Sequence, residues 1–170
     1  MGSVEKELLR GEIDALVRGV AEQRFRHVAG IEPAPDLTSR FADLTCLPFP
    51  DRSQESISCM HVVEHVGLGR YGDPLDPDGD LKAMAELQRV VAQGGHLLFV
   101  VPVGKPRICF NSHRTYSYDQ VLAGFPELQL SQFALIPDNP SPPKLLLDAD
   151  PALVKEQEFG CGCFHFQRPV

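Results

Sequence analysis

The chain has 170 residues, 43% hydrophobic and 23% charged, enough for one hydrophobic core and short of two comfortable ones. Its formal net charge of -7 and sequence pI near 5.3 argue against a nucleic-acid partner, because that affinity needs clustered Lys and Arg to neutralise phosphates. No apolar run approaches the ~20 residues of a membrane span, and the opening MGSVEKELLRGEID is too charged for a signal peptide, so a single cytoplasmic domain over residues 1–170, without membrane contact, is expected.

In chain order, residues 1–26 form an N-terminal amphipathic helix region. Within it Glu12 to Phe25 carries Ile13, Leu16, Val17, Val20, Ala21 and Phe25 at three- and four-residue steps, with Asp14, Arg18, Glu22 and Arg24 between them. His27 to Ile31 (HVAGI) reads as a strand running into a loop at Glu32, Pro33 and Pro35. A second short strand is expected around Arg40 to Asp43, followed by a turn through the two prolines of Leu47 to Asp51. Ser56 to Val63 is a continuous apolar, partly β-branched run that predicts a buried strand. Asp80 to Val91 predicts a helix with Leu81, Met84, Ala85, Leu87, Val90 and Val91 on one face, Asp80 as N-cap and Gly94-Gly95 past its end. His96 to Pro102 (HLLFVVP) predicts a central strand, so strand, helix and strand make a βαβ unit with parallel pairing.

Further on, Tyr118 to Phe125 reads as a short helix and Leu128 to Ile136 as a strand. Pro137 to Lys144 is a loop with four prolines, Ala152 to Glu158 a modest helix, and Cys163 to Gln167 a closing strand. Hairpin-like connections among these late strands predict an antiparallel edge. The five cysteines, Cys46, Cys59, Cys109, Cys161 and Cys163, are odd in number and fit reduced thiols. Cys161-Gly162-Cys163 has a one-residue gap that does not suit a zinc site, and buried small hydrophobes are the simpler account.

The stretch His61 to Asp80, HVVEHVGLGRYGDPLDPDGD, stands where a strand hands over to a helix. The crevice at the carboxyl ends of strands is where open α/β sheets bind ligands. His65, Arg70, Tyr71 and Asp73 lie on this connection, and Asn111, His113, Arg114 and Tyr116 follow the next strand. Two such loops would frame one pocket. Arg70 and Arg114 suit a carboxylate or phosphate on a substrate, with Tyr71, Asp73, Asn111 and Tyr116 as further substrate contacts. His65 or His113 could deprotonate a hydroxyl near neutral pH. HVVEH also matches the H-x-x-E-H zinc-peptidase signature, but that chemistry needs both His on one helical face, and Gly67-Leu68-Gly69 follows too soon. No metal is expected.

The succession Asp43-Leu-Thr-Cys-Leu-Pro-Phe-Pro-Asp51, HVVEH at a strand end, Leu87-Gln-Arg-Val-Val-Ala-Gln-Gly-Gly95 and LLFVVP resembles the class I S-adenosylmethionine-dependent methyltransferases. More narrowly, GLGRYGDPLDPDGD, PVGKPRICFNSHRTYS and FGCGCFHF resemble a methyltransferase-like family of unknown function first described from nematode proteins. The resemblance covers roughly Ala29 to Gln167. It implies an α/β fold, a Rossmann-like methyltransferase sheet, mostly parallel with an antiparallel C-terminal edge. It also implies S-adenosylmethionine as cofactor: Glu32 at the ribose hydroxyls, Asp43 at the adenine amino group with Leu44 flanking the ring, and His61 and Val62 along the methionine portion.

The departure is the first strand with its glycine-rich turn, missing or degenerate here, since nothing before Glu32 supplies D-x-G-x-G. The implied activity is methyl transfer to a hydroxyl or amine of a small or glycan-like acceptor, with a catalytically inactive binding or assembly module as the alternative. A sheet without its first strand would leave an edge or apolar face that a partner, such as a second copy, could cover.

Overall fold

The computed structural model describes residues 42–138 and 144–170. The expected N-terminal helix, the HVAGI strand, Glu32 and the first half of the Arg40 to Asp43 strand lie outside these residues. Strand β1 (Gln54–Met60) leads through a single 3-10 turn (Val63–His65) and a long loop into helix α1 (Gly79–Val90), which passes directly into β2 (Val91–Val103). A ribbon of β3 (Arg107–Cys109) and β4 (His113–Thr115) follows. Helix α2 (Tyr118–Ala123), β5 (Gln129–Ile136), β6 (Leu146–Leu147), a 3-10 segment (Pro151–Glu156) and β7 (Gly160–Gln167) complete the chain.

Five strands form one sheet in the order β1-β2-β7-β5-β6. The β1–β2 pair is parallel, as a βαβ unit requires. The pairs β2–β7, β5–β7 and β5–β6 are antiparallel, so among the described residues the antiparallel side reaches in to the central strand. One connection explains this: β7 enters between β2 and β5 from the opposite direction, placing Phe99 beside Phe164 and Leu97 beside Phe166.

Burial alternates along β7, with Phe164 and Phe166 in the core and Cys161, Cys163, His165 and Gln167 half-exposed on the other face. The core centres on Phe99, Phe125, Phe164, Phe166, Met84, Leu87, Leu97 and Leu135. Burial of each large side chain there contributes about 1.5–3 kcal/mol. Among the described residues no helix is long and apolar enough to cross a membrane.

Helix α1 corrects two expectations. Asp78, not Asp80, is the N-cap residue, and its side chain makes no capping bond. Asp80 sits in the first turn, buried, where it accepts from the Tyr116 hydroxyl at 3.0 Å. Gly94-Gly95 does not terminate the helix, because Val91 is already extended and begins β2. The β1–β2 register instead jumps from Gln54↔Val91 to Ser56↔His96. The glycines therefore lie in a bulge, where a Cβ on Gly95 would come within 3.0 Å of the Glu55 carbonyl.

The end of α1 is held by Arg168, which is 4% exposed. Its Nε donates to Val91 O at 2.9 Å and its Nη2 to Gln88 O at 2.5 Å. A cation at a helix C-terminus also complements the helix dipole. Nη1 meets Glu127, whose side chain is 58% exposed, so that ion pair adds little. Arg168→Met should cost about 2 kcal/mol in urea unfolding, chiefly from orphaned buried carbonyls. A loss no larger than that of Glu127→Ala would show that the carbonyl contacts contribute nothing.

Candidate functional site

The LPFPD segment is tied to α1. Glu86 accepts from the Leu47 amide at 2.8 Å, and Arg89 donates to the carbonyls of Leu47 and Phe49. Upstream, Asp43 closes a tight turn: its Oδ1 accepts from both the amide and the hydroxyl of Thr45, each at 2.8 Å. Oδ2 has no hydrogen-bond partner among the described residues. Leu44 lies next to it, packed partly against the core.

Strand β1 stops at Met60 because His61 adopts φ +53, a left-handed conformation uncommon outside glycine. The His61 amide still donates to Val100 O at 2.8 Å, so the kinked residue stays pinned to β2. Val63 is fully buried and anchors the 3-10 turn. Glu64, 1% exposed, is thereby carried into the interior, where Oε1 lies 3.1 Å from His61 Nδ1 and 3.8 Å from His65 Nε2. Among the described residues its buried Oε2 has no hydrogen-bond partner. One carboxylate thus stands between two imidazoles. Its hydrogen bond raises the His61 pKa above the ordinary histidine value, against the opposing effect of burial.

The second loop arrives from the far end of β2 through the β3–β4 ribbon. Ser112, at the ribbon's turn, is the hub. Its carbonyl accepts from His65 Nδ1 at 2.5 Å, its Oγ accepts from Arg70 Nη1 at 3.2 Å, and the same Oγ bonds His113 Nδ1 at 2.8 Å. His65 stands edge-on to Tyr71 with ring centroids 5.6 Å apart, and His113 edge-on to Phe159 at 4.9 Å. Burial, then the neighbouring His65 and Arg107, lowers the His113 pKa below the ordinary histidine value.

The structure thus brings together His61, His65, Arg70, Tyr71 and His113. Three other expected substrate contacts belong to the frame around them. Asp73 spends its carboxylate on the amides of Gly67, Gly69 and Tyr71. Arg114, 4% exposed, donates to Val66 O at 2.6 Å and Pro77 O at 3.1 Å and lies 3.4 Å from Asp80. Tyr116, 5% exposed, is committed to Asp80. Asn111 is exposed at the ribbon turn. Val62 packs partly against the core.

Ser112 and Glu64 complete the junction, although neither stood among the expected site residues. Glu64 was legible as the acid three positions after His61, but nothing in the sequence marks a serine whose carbonyl and hydroxyl join residues from two loops. A separate groove of about 620 Å³ opens between α1, the ribbon and α2, lined by Met84, Arg107, Ile108, Tyr116 and Gln120 among others. None of His61, His65 or His113 lines it. Among the described residues no group of three or more His, Cys, Asp and Glu has an arrangement suited to a metal ion.

This sheet, with its parallel β1–β2 unit and strand-end junction, is the Rossmann-like fold of the class I S-adenosylmethionine-dependent methyltransferases. Residues 49–129 match the family described as Caenorhabditis protein of unknown function, DUF268. Among solved structures, a Bacillus halodurans protein provisionally assigned as a methyltransferase is similar at TM-score 0.55 and 12% identity, over 81% of this chain and 74% of that one. A Thermotoga maritima S-adenosylmethionine-dependent methyltransferase is similar at TM-score 0.51 and 12% identity, over 78% and 64%. The cyclase SpnF is similar at TM-score 0.52 and 14% identity, over 78% of this chain but only 56% of its own length. No curated protein sequence matches the chain. A cyclase among the neighbours illustrates why the shared fold does not by itself specify the reaction.

Proposed function

We propose that the protein transfers a methyl group from S-adenosylmethionine to a hydroxyl or amine of a small or glycan-like acceptor held at the Ser112 junction. The observation that supports this reading is the convergence of His65, Arg70 and His113 on one serine from two separate strand-end loops. Because His65 Nδ1 faces a carbonyl, it must carry the proton, which leaves the Nε2 lone pair of the neutral ring as the base. Glu64 Oε1 lies 3.8 Å from that nitrogen. Arg70, exposed and partly over the Tyr71 ring, suits an anionic group on the acceptor. Most of the acceleration would come from alignment, with general-base assistance contributing 10²–10⁴-fold, roughly.

The described residues fit the cofactor at its adenine end. Asp43 Oδ2 is an open acceptor beside an apolar side chain, Leu44, matching an exocyclic amino group on an aromatic ring. His61 and Val62 would line the methionine portion, with Glu32 at the ribose. Bound there, S-adenosylmethionine supplies a methyl carbon on a sulfonium as the electrophile. The second reading is a binding or assembly module on the same fold.

Isothermal titration separates the two. S-adenosylmethionine and S-adenosylhomocysteine should both give saturable heat below about 1 mM, and Asp43→Ala should weaken each roughly tenfold, equal to about 1.4 kcal/mol. Unchanged affinity in that variant rejects the adenine assignment, and no heat at all leaves the binding module.

A further inference from the structure

The half-exposed face of β7 carries two cysteines that the proposed methyl transfer does not use. Cys161 and Cys163 are both free and partly accessible, two positions apart on the same side of the strand. His61 reaches them from the end of β1, with Nε2 3.5 Å from Cys161 Sγ. The other ring nitrogen of His61 is 3.1 Å from the buried carboxylate of Glu64. Carboxylate, imidazole and thiol therefore stand in one line, each within reach of the next. This is the arrangement by which a base oriented by a third group activates a weak nucleophile. The expectation that this pair are buried small hydrophobes is corrected: among the five cysteines only Cys59 is buried.

We propose that Cys161 and Cys163 form a nucleophilic thiol centre, activated through His61 by Glu64, that captures a soft carbon electrophile such as an activated acyl group. In the step, His61 Nε2 accepts the thiol proton and the sulfur attacks the electrophilic carbon. An S–C bond forms, the bond to the leaving group breaks with its electron pair, and the imidazolium returns the proton to that group. The surroundings suit a neutral electrophile. The flanking residues of the neighbouring strands are Val100 and Pro102 of β2 and Ala134 and Ile136 of β5, all uncharged. The charged or titratable groups facing the pair are His61, Glu64 and, beyond Glu64, His65.

The electrostatics divide the two thiols. The neighbouring Cys161 and then His61 lower the Cys163 pKa to about 7, while the Cys161 thiol is pushed up by Cys163 and by burial. The raised pKa of His61 favours the imidazolium that a thiolate needs beside it. Cys59 provides an internal control, since burial pushes its thiol up to about 12.

The test is alkylation of the full chain by iodoacetamide, with peptide mass spectrometry following each cysteine from pH 5.5 to 9. This readout needs neither S-adenosylmethionine nor an acceptor, so its failure is distinct from failure of the methyl-transfer reading. A thiol of pKa near 7 has ~25 times the thiolate of an ordinary one at pH 6.5, offset in part by lower intrinsic nucleophilicity. The pair should therefore react about fivefold faster at pH 6.5 than a small-molecule thiol of pKa ~8.5 measured in parallel, with an inflection near pH 7. His61→Gln should abolish that advantage and move the inflection upward. Cys59 should remain unlabelled in both proteins, which reports that the variant is folded. Reaction no faster than the reference thiol, or an advantage unaffected by His61→Gln, overturns the proposal. So does stoichiometric protection of the pair by Zn²⁺ at submicromolar concentration, which would make it a metal site.

Discussion

Arg114→Met is expected to remove about 3–5 kcal/mol of folding stability, the range for breaking a buried ion pair from one side. The guanidinium is 4% exposed and contacts two backbone carbonyls, of Val66 and Pro77, and the Asp80 carboxylate. These three partners sit at the start of the β1–α1 loop, at its end and in the first turn of α1, so one side chain clamps both ends of the loop. Methionine fills similar volume but supplies no donor. Asp80 would then stay buried with only the Tyr116 hydroxyl and the α1 N-terminus to offset its charge. Adding Asp80→Asn to the variant should restore part of the loss, because it removes that uncompensated charge. Urea unfolding of the two single variants and the double variant measures this directly. A single-variant loss below about 1 kcal/mol, or a fully additive double variant, would mean that Arg114 is not the clamp.

Gly67→Ala is the other large effect, and its cause is steric. Gly67 has φ +79, and a Cβ there would lie 2.1 Å from the Asp76 carbonyl oxygen, which is backbone and cannot rotate away. The two residues are also joined by the Asp76 amide donating to Gly67 O at 2.9 Å, and the Gly67 amide donates to Asp73. Relieving the overlap therefore breaks the loop's own closure. We expect a loss of about 3 kcal/mol or more. Gly72→Ala is the control: φ is +86, yet a Cβ would meet nothing within 4 Å, so only the left-handed cost of roughly 1–2 kcal/mol applies. Equal losses at the two positions would show that the close approach at Gly67 does not matter. Because His65 lies two residues before Gly67, Gly67→Ala should also disturb the Ser112 junction.

Both residues bear on what could be read beforehand. Arg114 carried a charge in a loop rich in polar residues, and that composition suggested a substrate anion. The sequence holds no sign that Arg114 would be enclosed, because its partners are carbonyls 37 and 48 residues away. Asp73 was misleading for a similar reason: a short carboxylate two residues after an amide closes turns as readily as it binds ligands, and its actual acceptor role is local. Gly94-Gly95 looked like helix punctuation, yet the strand had already begun at Val91. Only cross-strand register distinguishes a bulge from a cap.

From the sequence alone came the elements whose signals are local. The apolar run of β1, the 3.6-residue spacing of α1, the all-apolar β2 and the alternation in β5 and β7 each determine an element, because side-chain periodicity is set by backbone geometry. Order and length made β1–α1–β2 a parallel unit. Tertiary structure decided what depends on contact between distant segments. It inserted β7 between β2 and β5, set Ser112 between His65, Arg70 and His113, and buried Glu64 between two imidazoles. It also aligned His61 with thiols a hundred residues further on. A hydrogen bond needs its atoms within about 3 Å, and separation along the chain does not encode that proximity.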